Sequence, residues 1–261
     1  VDYYKKLFQT IGNIIELIEK DDIPKYLLFL ENAFPYMDNY NYHKGMNGII
    51  QELTGLLKTK NIGTDSDRAL LLDFQATLET KPEKAIKLEK DALAQIENIT
   101  ADNARLVSNL HANLGGLYRM NGHPDLAREH MEKSISLLDQ FNLLHINDSI
   151  PQIANYAMFL TEQQEPERGI SELQKLSGII KEYHSDDCLD YAKVQETLGT
   201  IYLMTANLPQ AKTHFKKAFK IYEKIWADEP EMIEAKYREI QELYPQIGFC
   251  IGKNLSGLLT K

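Results

Sequence analysis

The residues that could carry chemistry in this sequence are few and scattered. Cys188 and Cys250 stand 62 positions apart, and neither belongs to a cysteine–histidine cluster of the kind that holds a metal ion. His123 and His130 could share one side of a helix, but no pair of carboxylates completes a metal site at a fixed spacing. We therefore expect no metal and no cofactor, and we expect both cysteines to be ordinary thiols in a reducing compartment.

Sequence motifs of common enzyme classes are absent. The chain contains no G-x-x-x-x-G-K-[ST], G-x-G-x-x-G, H-E-x-x-H or G-x-S-x-G. One catalytic alternative is hydrolysis of an aspartyl phosphate on a response regulator, through a water molecule positioned by a glutamine. Its candidates are Gln9, Gln51 and Gln75, and the residues around each of them do not indicate a catalytic role. The sequence therefore predicts a protein that is not an enzyme.

Charge and hydropathy restrict the partners. The 261 residues carry 29 Lys and Arg against 38 Asp and Glu, a formal net charge of −9, which disfavours direct nucleic-acid binding. No apolar run approaches the roughly 18 residues needed to span a bilayer. The first residues, VDYYKKLF, do not resemble a signal peptide, so we expect a cytoplasmic protein with no membrane contact. The missing initiator Met suggests a piece excised from a longer protein.

A pattern of apolar and small residues recurs every 42 positions. Leu114, Gly115 and Tyr118 are followed by Ala127, and the same offsets carry equivalent residues around 156–173 and 198–215, with a weaker copy at 72–92. The spacing predicts two amphipathic helices in each unit, joined by a tight turn. Small residues at the facing positions let the two helices approach closely. One such hairpin cannot bury its apolar face alone, whereas a stack of hairpins can.

This pattern resembles the tetratricopeptide repeat (TPR) family. Leu114-Gly115-x-x-Tyr118 and Leu198-Gly199-x-x-Tyr202 carry the resemblance, and the period of 42 is similar to that of kinesin light chain repeats and of many bacterial sensor and signalling proteins. The resemblance implies an all-α fold, an α-α superhelix (TPR solenoid) of about five helix pairs plus an N-terminal helix. We expect a single domain, 1–261, with clear repeats at 66–98, 108–140, 150–182 and 192–224 and degenerate flanking units at 2–58 and 230–261.

In this family the first helix of each repeat lines a concave groove, which suggests where a peptide would bind. Asn113 and Asn155 occupy equivalent positions, and members of the family use groove asparagines to hold a peptide backbone. The alternative that these asparagines only satisfy neighbours inside the stack stays open. Arg119 and Lys193 could take a carboxylate. The full set of predicted peptide-binding residues is Asn109, Asn113, Arg119, Met120, Asn155, Met158, Lys193, Thr197 and Phe74.

The resemblance predicts a non-catalytic scaffold whose groove binds an extended peptide or a partner helix. The alternative is a regulatory or sensor domain of a larger bacterial signalling or transcriptional regulator, of the peptide-pheromone or nucleotide-switch type. In either case the expected partner is a protein or peptide. The apolar C-terminal segment 247–259 could also mediate homo-oligomerisation.

Overall fold

The computed structural model describes residues 27–31, 43–60 and 63–243. Within these ranges the regular structure is entirely helical, as predicted. A short helical stretch at 27–31 precedes the following helices: α1 (His43–Lys60), α2 (Asp65–Leu78), α3 (Pro82–Leu93), α4 (Ala104–Met120), α5 (Pro124–Gln140), α6 (Ser149–Glu162), α7 (Pro166–Tyr183), α8 (Leu189–Met204), α9 (Leu208–Ile225) and α10 (Pro230–Leu243).

The four clear repeats coincide with four helix pairs: α2 with α3, α4 with α5, α6 with α7, and α8 with α9. In the flanks, α1 begins inside the predicted unit 2–58 and ends two residues beyond it, and α10 begins the predicted unit 230–261. The predicted N-terminal helix lies outside the described residues, as does the proposed oligomerisation segment 247–259.

The turns inside the pairs repeat one backbone geometry at the 42-residue spacing. Gly122, Gln164 and Ala206 adopt positive φ angles of 73°, 66° and 58°. In each turn the next amide donates back to a carbonyl five residues earlier, which is the Schellman arrangement. The N···O distances are 2.9 Å for His123 to Tyr118, 2.8 Å for Glu165 to Leu160 and 2.7 Å for Asn207 to Tyr202.

Close helix contact depends on glycine in three of these pairs. A Cβ atom on Gly115 would lie 2.6 Å from Met131 Cγ, and one on Gly199 would lie 2.9 Å from the Phe215 ring. In the middle pair the glycine is on the second helix, where a Cβ on Gly169 would lie 2.6 Å from the Ala157 carbonyl oxygen. The predicted role of small residues at these positions is therefore confirmed.

The chain forms two compact units, unit 1 (Val1–Leu137) and unit 2 (Leu138–Lys261). In unit 1, α1 packs on α2, α2 on α3 and α3 on α4, and α2 also packs on α4. In unit 2, α6 packs on α7, α7 on α8, α8 on α9 and α9 on α10, and α6 also packs on α8. Successive helices in contact, with the first helices of neighbouring pairs also in contact, are the arrangement of an α-α solenoid.

Candidate functional site

The first helix of the second clear repeat, α4, presents a partly open face in unit 1. Asn109, Asn113, Gly116 and Met120 follow one another at spacings of four, three and four, so they share one side of the helix. Met120 is 81% exposed, whereas Asn109, Asn113 and Arg119 are partly buried. The structure therefore places four of the predicted binding residues on or beside this face.

Asn113 is already engaged with a neighbouring helix. Its Nδ2 atom donates a hydrogen bond to Asp73 Oδ1 of α2 at 2.8 Å. For this asparagine the structure supports the alternative that it satisfies a neighbour inside the stack.

The matching face in unit 2 is built by α6 and α8, which pack together. Asn155 is exposed on α6, and Met158, one turn further along, is partly buried. Among the described residues, no protein group is hydrogen-bonded to the Asn155 side chain. On α8, Lys193 is exposed and lies 3.6 Å from Asp190, and the Thr197 hydroxyl donates to the Lys193 carbonyl at 3.0 Å. Four predicted residues thus share this face, which we call the α6–α8 face.

Phe74 does not belong to a binding surface. Its side chain is 4% exposed and belongs to the core of unit 1, with Leu71 and with Ile50 and Leu53 of α1. Burying a phenylalanine stabilises a fold by about 2–3 kcal/mol, so the ring packs on α1 and is not available to a ligand in this structure.

Sequence reasoning missed a pair of carboxyl groups in unit 1. Glu89 of α3 is 1% exposed, and its carboxyl group interacts with that of Asp73, which accepts a hydrogen bond from Asn113. Burial raises the pKa of both carboxyl groups, and the charge of Asp73 raises that of Glu89 further. The 42-residue register could have indicated this pair, because Asp73 and Glu89 occupy the positions equivalent to Gly115 and Met131, which face each other in the next repeat.

A second polar cluster in unit 2 joins α8, α9 and α10. Lys236 Nζ lies 2.9 Å from Glu196 Oε1, and the Tyr222 hydroxyl donates to Glu196 Oε2 at 2.6 Å. Burial raises the pKa of Tyr222, with the charge of Glu196 as a second cause. Burial lowers the pKa of Lys236, but Glu196 and Glu239 outweigh it and the net shift is upward. This cluster ties the last described helix to the preceding repeat.

Two histidine contacts recur within repeats. The Nδ1 atoms of His111 and His130 lie 2.9 Å apart, and His214 Nδ1 lies 2.9 Å from Gln195 Oε1 at the equivalent positions. Burial lowers the pKa of His111 and of His214 to about 4, so both imidazoles are neutral at pH 7. In the histidine pair one Nδ1 atom donates a hydrogen bond and the other accepts it. Since His111 lies on α4 and His130 on α5, this bond joins the two helices of the repeat.

The described ranges contain neither a metal-binding cluster nor a membrane-spanning helix. No group of three or more His, Cys, Asp or Glu side chains there could hold a metal ion. None of the described helices is both long and apolar enough to cross a membrane.

The fold and its open helix faces define an α-helical repeat protein. Residues 149–224, which cover α6 to α9, match the family described as tetratricopeptide repeat. The predicted resemblance to tetratricopeptide repeats is therefore confirmed for this segment. No curated protein sequence matches the chain.

Solved structures with a similar fold include BtubC (BKLC) from P. vanneervenii, at 17% identity and a TM-score of 0.52, covering 78% of this chain and 74% of that one. A kinesin light chain with nearly identical TPR-like repeats from Podosopora anserina, described as putative, matches at 14% identity and a TM-score of 0.58, over 75% of this chain and 93% of that one. A variant of that same protein matches at 13% identity and a TM-score of 0.60, over 76% and 94%. At these identities the likeness concerns the fold alone, and it confirms the predicted α-α solenoid.

Proposed function

We propose that this chain is a non-catalytic scaffold that binds an extended peptide or a partner helix on the first helices of its repeats. The observation that carries this proposal is the α6–α8 face of unit 2, where Asn155 is exposed and has no described hydrogen-bond partner. Helical repeat proteins commonly use such surfaces to bind other proteins.

The chemistry of the α6–α8 face fits a peptide main chain. The Asn155 amide both donates and accepts, so it can bond the C=O and the N–H of one residue of an extended peptide. Met158 adds a flexible apolar side chain that adapts to different ligands. Among the described residues Lys193 is ion-paired only with Asp190, at 3.6 Å, and 53% of its side chain is exposed, so it can leave that pair and meet a ligand carboxylate.

The α4 face of unit 1 is proposed as a separate contact surface. Met120 offers an exposed apolar side chain, and Asn109 and Arg119 supply polar groups beside it. Asn113 contributes less here than Asn155 does in unit 2, because one of its amide hydrogens is already donated to Asp73.

A peptide-display screen on the full 261-residue chain tests the proposal. Enriched peptides would be measured by calorimetry against the wild type, Asn155→Ala and the control Asn147→Ala, which changes an asparagine of unit 2 in the loop before α6. We expect Asn155→Ala to weaken binding about tenfold, since hydrogen bonds to a peptide unit contribute about 1.4 kcal/mol net. The control should bind as the wild type does.

Two results would contradict the proposal. If no peptide is enriched, a peptide-binding role is wrong. If peptides bind but Asn155→Ala and Asn147→Ala have equal affinity, the chain binds peptides elsewhere than on the α6–α8 face.

A further inference from the structure

The first clear repeat departs from the others at one pair of facing positions. In the later repeats these positions hold Gly115 with Met131, Ala157 with Leu173, and Gly199 with Phe215, so a small residue packs against an apolar side chain. In the first repeat they hold Asp73 and Glu89. Two acids thus occupy a place where the same fold elsewhere packs apolar atoms.

The geometry of this pair requires a proton. Glu89 is 1% exposed and its carboxyl group interacts with that of Asp73. Two ionised carboxylates have no hydrogen to share, so a hydrogen bond between these two groups can form only when one of them is protonated. Asn113 supplies one donor, to Asp73 Oδ1 at 2.8 Å. Glu89 Oε2 is buried with no hydrogen-bond partner among the described residues. A second negative charge here would be buried and unpaired, which proteins avoid by keeping the group neutral.

The surrounding groups do not neutralise the pair. Glu31, from the stretch 27–31, adds further negative potential at Asp73 and is itself ion-paired with Arg105 of α4. The next residue along α3, Lys90, places its ammonium 5.5 Å from the Tyr118 ring centroid. Within the described ranges, no cationic side chain is ion-paired with Asp73 or Glu89.

We propose that Asp73 and Glu89 share one proton at neutral pH, and that this proton locks α2, α3 and α4 together. These three helices meet at the pair, since Asp73 lies on α2, Glu89 on α3 and Asn113 on α4. Loss of the proton leaves two adjacent negative charges, that of Glu89 fully buried and that of Asp73 partly buried, and loosens unit 1. The pair is a pH-sensitive device that adds to the scaffold function and does not depend on it.

The sign of the pH effect follows from proton counting. Both carboxyl groups are ionised in the unfolded chain above pH 7, whereas the folded chain holds one proton because the pKa of Glu89 is raised far above 4.5. The folded state therefore binds one proton more than the unfolded state. Its stability falls as pH rises, and the unfolding constant increases about tenfold per pH unit until the folded pair itself ionises.

Urea unfolding at about pH 7.5 and about pH 8.5, followed by far-UV circular dichroism, tests this proposal. Glu89→Gln keeps residue 89 neutral at every pH, and its amide can donate to the Asp73 carboxylate, so the variant carries the single negative charge of the protonated pair without holding a proton. The ratio of the wild-type unfolding constant to that of Glu89→Gln should rise about tenfold between the two pH values. Unfolding of the wild type at the lower pH should also release about one more proton than unfolding of the variant.

Two further variants make the test decisive. Glu83→Gln makes the same chemical change at an outward-facing position of α3, and it should keep the wild-type pH dependence. The double substitution Asp73→Gly with Glu89→Met copies the pair at 115 and 131, and it should lose the pH dependence even if Glu89→Gln folds poorly. The proposal is overturned if the wild type and both Glu89 variants show the same pH dependence and release the same number of protons.

Discussion

Replacing Gly169 with alanine is expected to destabilise unit 2 by about 1 kcal/mol net. The new Cβ would lie 2.6 Å from the Ala157 carbonyl oxygen and 3.2 Å from the Ala157 Cα. These are backbone atoms of α6, so no side-chain rotation can relieve the contact, and α6 and α7 must move apart. Overpacking of this kind costs about 1–3 kcal/mol, and the cost outweighs the gain of up to about 1 kcal/mol from the better helix propensity of alanine.

The same helix provides the control. Gly178 lies on α7, and a Cβ built on it would meet nothing within 4 Å. Gly178→Ala should therefore stabilise the protein by about 0.5–1 kcal/mol through helix propensity alone. The two substitutions are chemically identical and lie nine positions apart on one helix, so their opposite signs isolate the effect of the α6 contact.

Urea unfolding measures both variants. Far-UV circular dichroism reports all helices, and the fluorescence of the single tryptophan, Trp226, reports unit 2, where its ring stacks on Tyr222 with centroids 4.9 Å apart. Gly169→Ala should lower the urea midpoint and Gly178→Ala should raise it. If both variants shift the midpoint in the same direction by similar amounts, the packing of α6 on α7 differs from that described here.

Further predictions concern turns, histidines and a buried hydroxyl. Ala206→Gly should stabilise the protein by about 0.5–1 kcal/mol and Gly122→Ala should destabilise it by about 1 kcal/mol, because both positions have positive φ; thermal unfolding would check both. His111 should titrate near pH 4 by NMR, because burial lowers its pKa, so stability is lost as pH falls from about 6.5 towards 4; a midpoint near 6.5 would refute this. Tyr222→Phe should cost about 1.5–3 kcal/mol, since the hydroxyl donates to the Glu196 carboxylate; unchanged chemical unfolding would argue against that bond.

The repeat architecture could be predicted because it follows from the periodic spacing of apolar and small residues along the chain. The 42-residue register of Leu114, Gly115 and Tyr118 fixes which residues face each other within a pair, and helix boundaries follow from the turns between them. The predicted repeat 66–98 matches α2 and α3 for the same reason. These features require no knowledge of contacts between distant parts of the chain.

The error at Phe74 shows where register alone fails. Positions 116, 158 and 200 are partly open, and the same register places residue 74 on the open face. In α2, however, residue 73 is an aspartate and residue 74 is a large aromatic. The gain from burying the ring places Phe74 against α1, with 4% exposed, so side-chain size at one position overrides the repeat pattern.

The contrast between Asn113 and Thr197 shows how the same register can lead to different roles. Asn113 reaches back 40 positions to Asp73, whose carboxylate accepts its hydrogen bond. The residue 40 positions before Thr197 is Ala157, which has no polar side chain, and Thr197 donates to the Lys193 carbonyl of its own helix instead. A polar side chain on a first helix is therefore engaged or open according to what the preceding repeat offers it. Because the partner lies a full repeat away, the sequence shows such a difference only after the helices have been stacked in space.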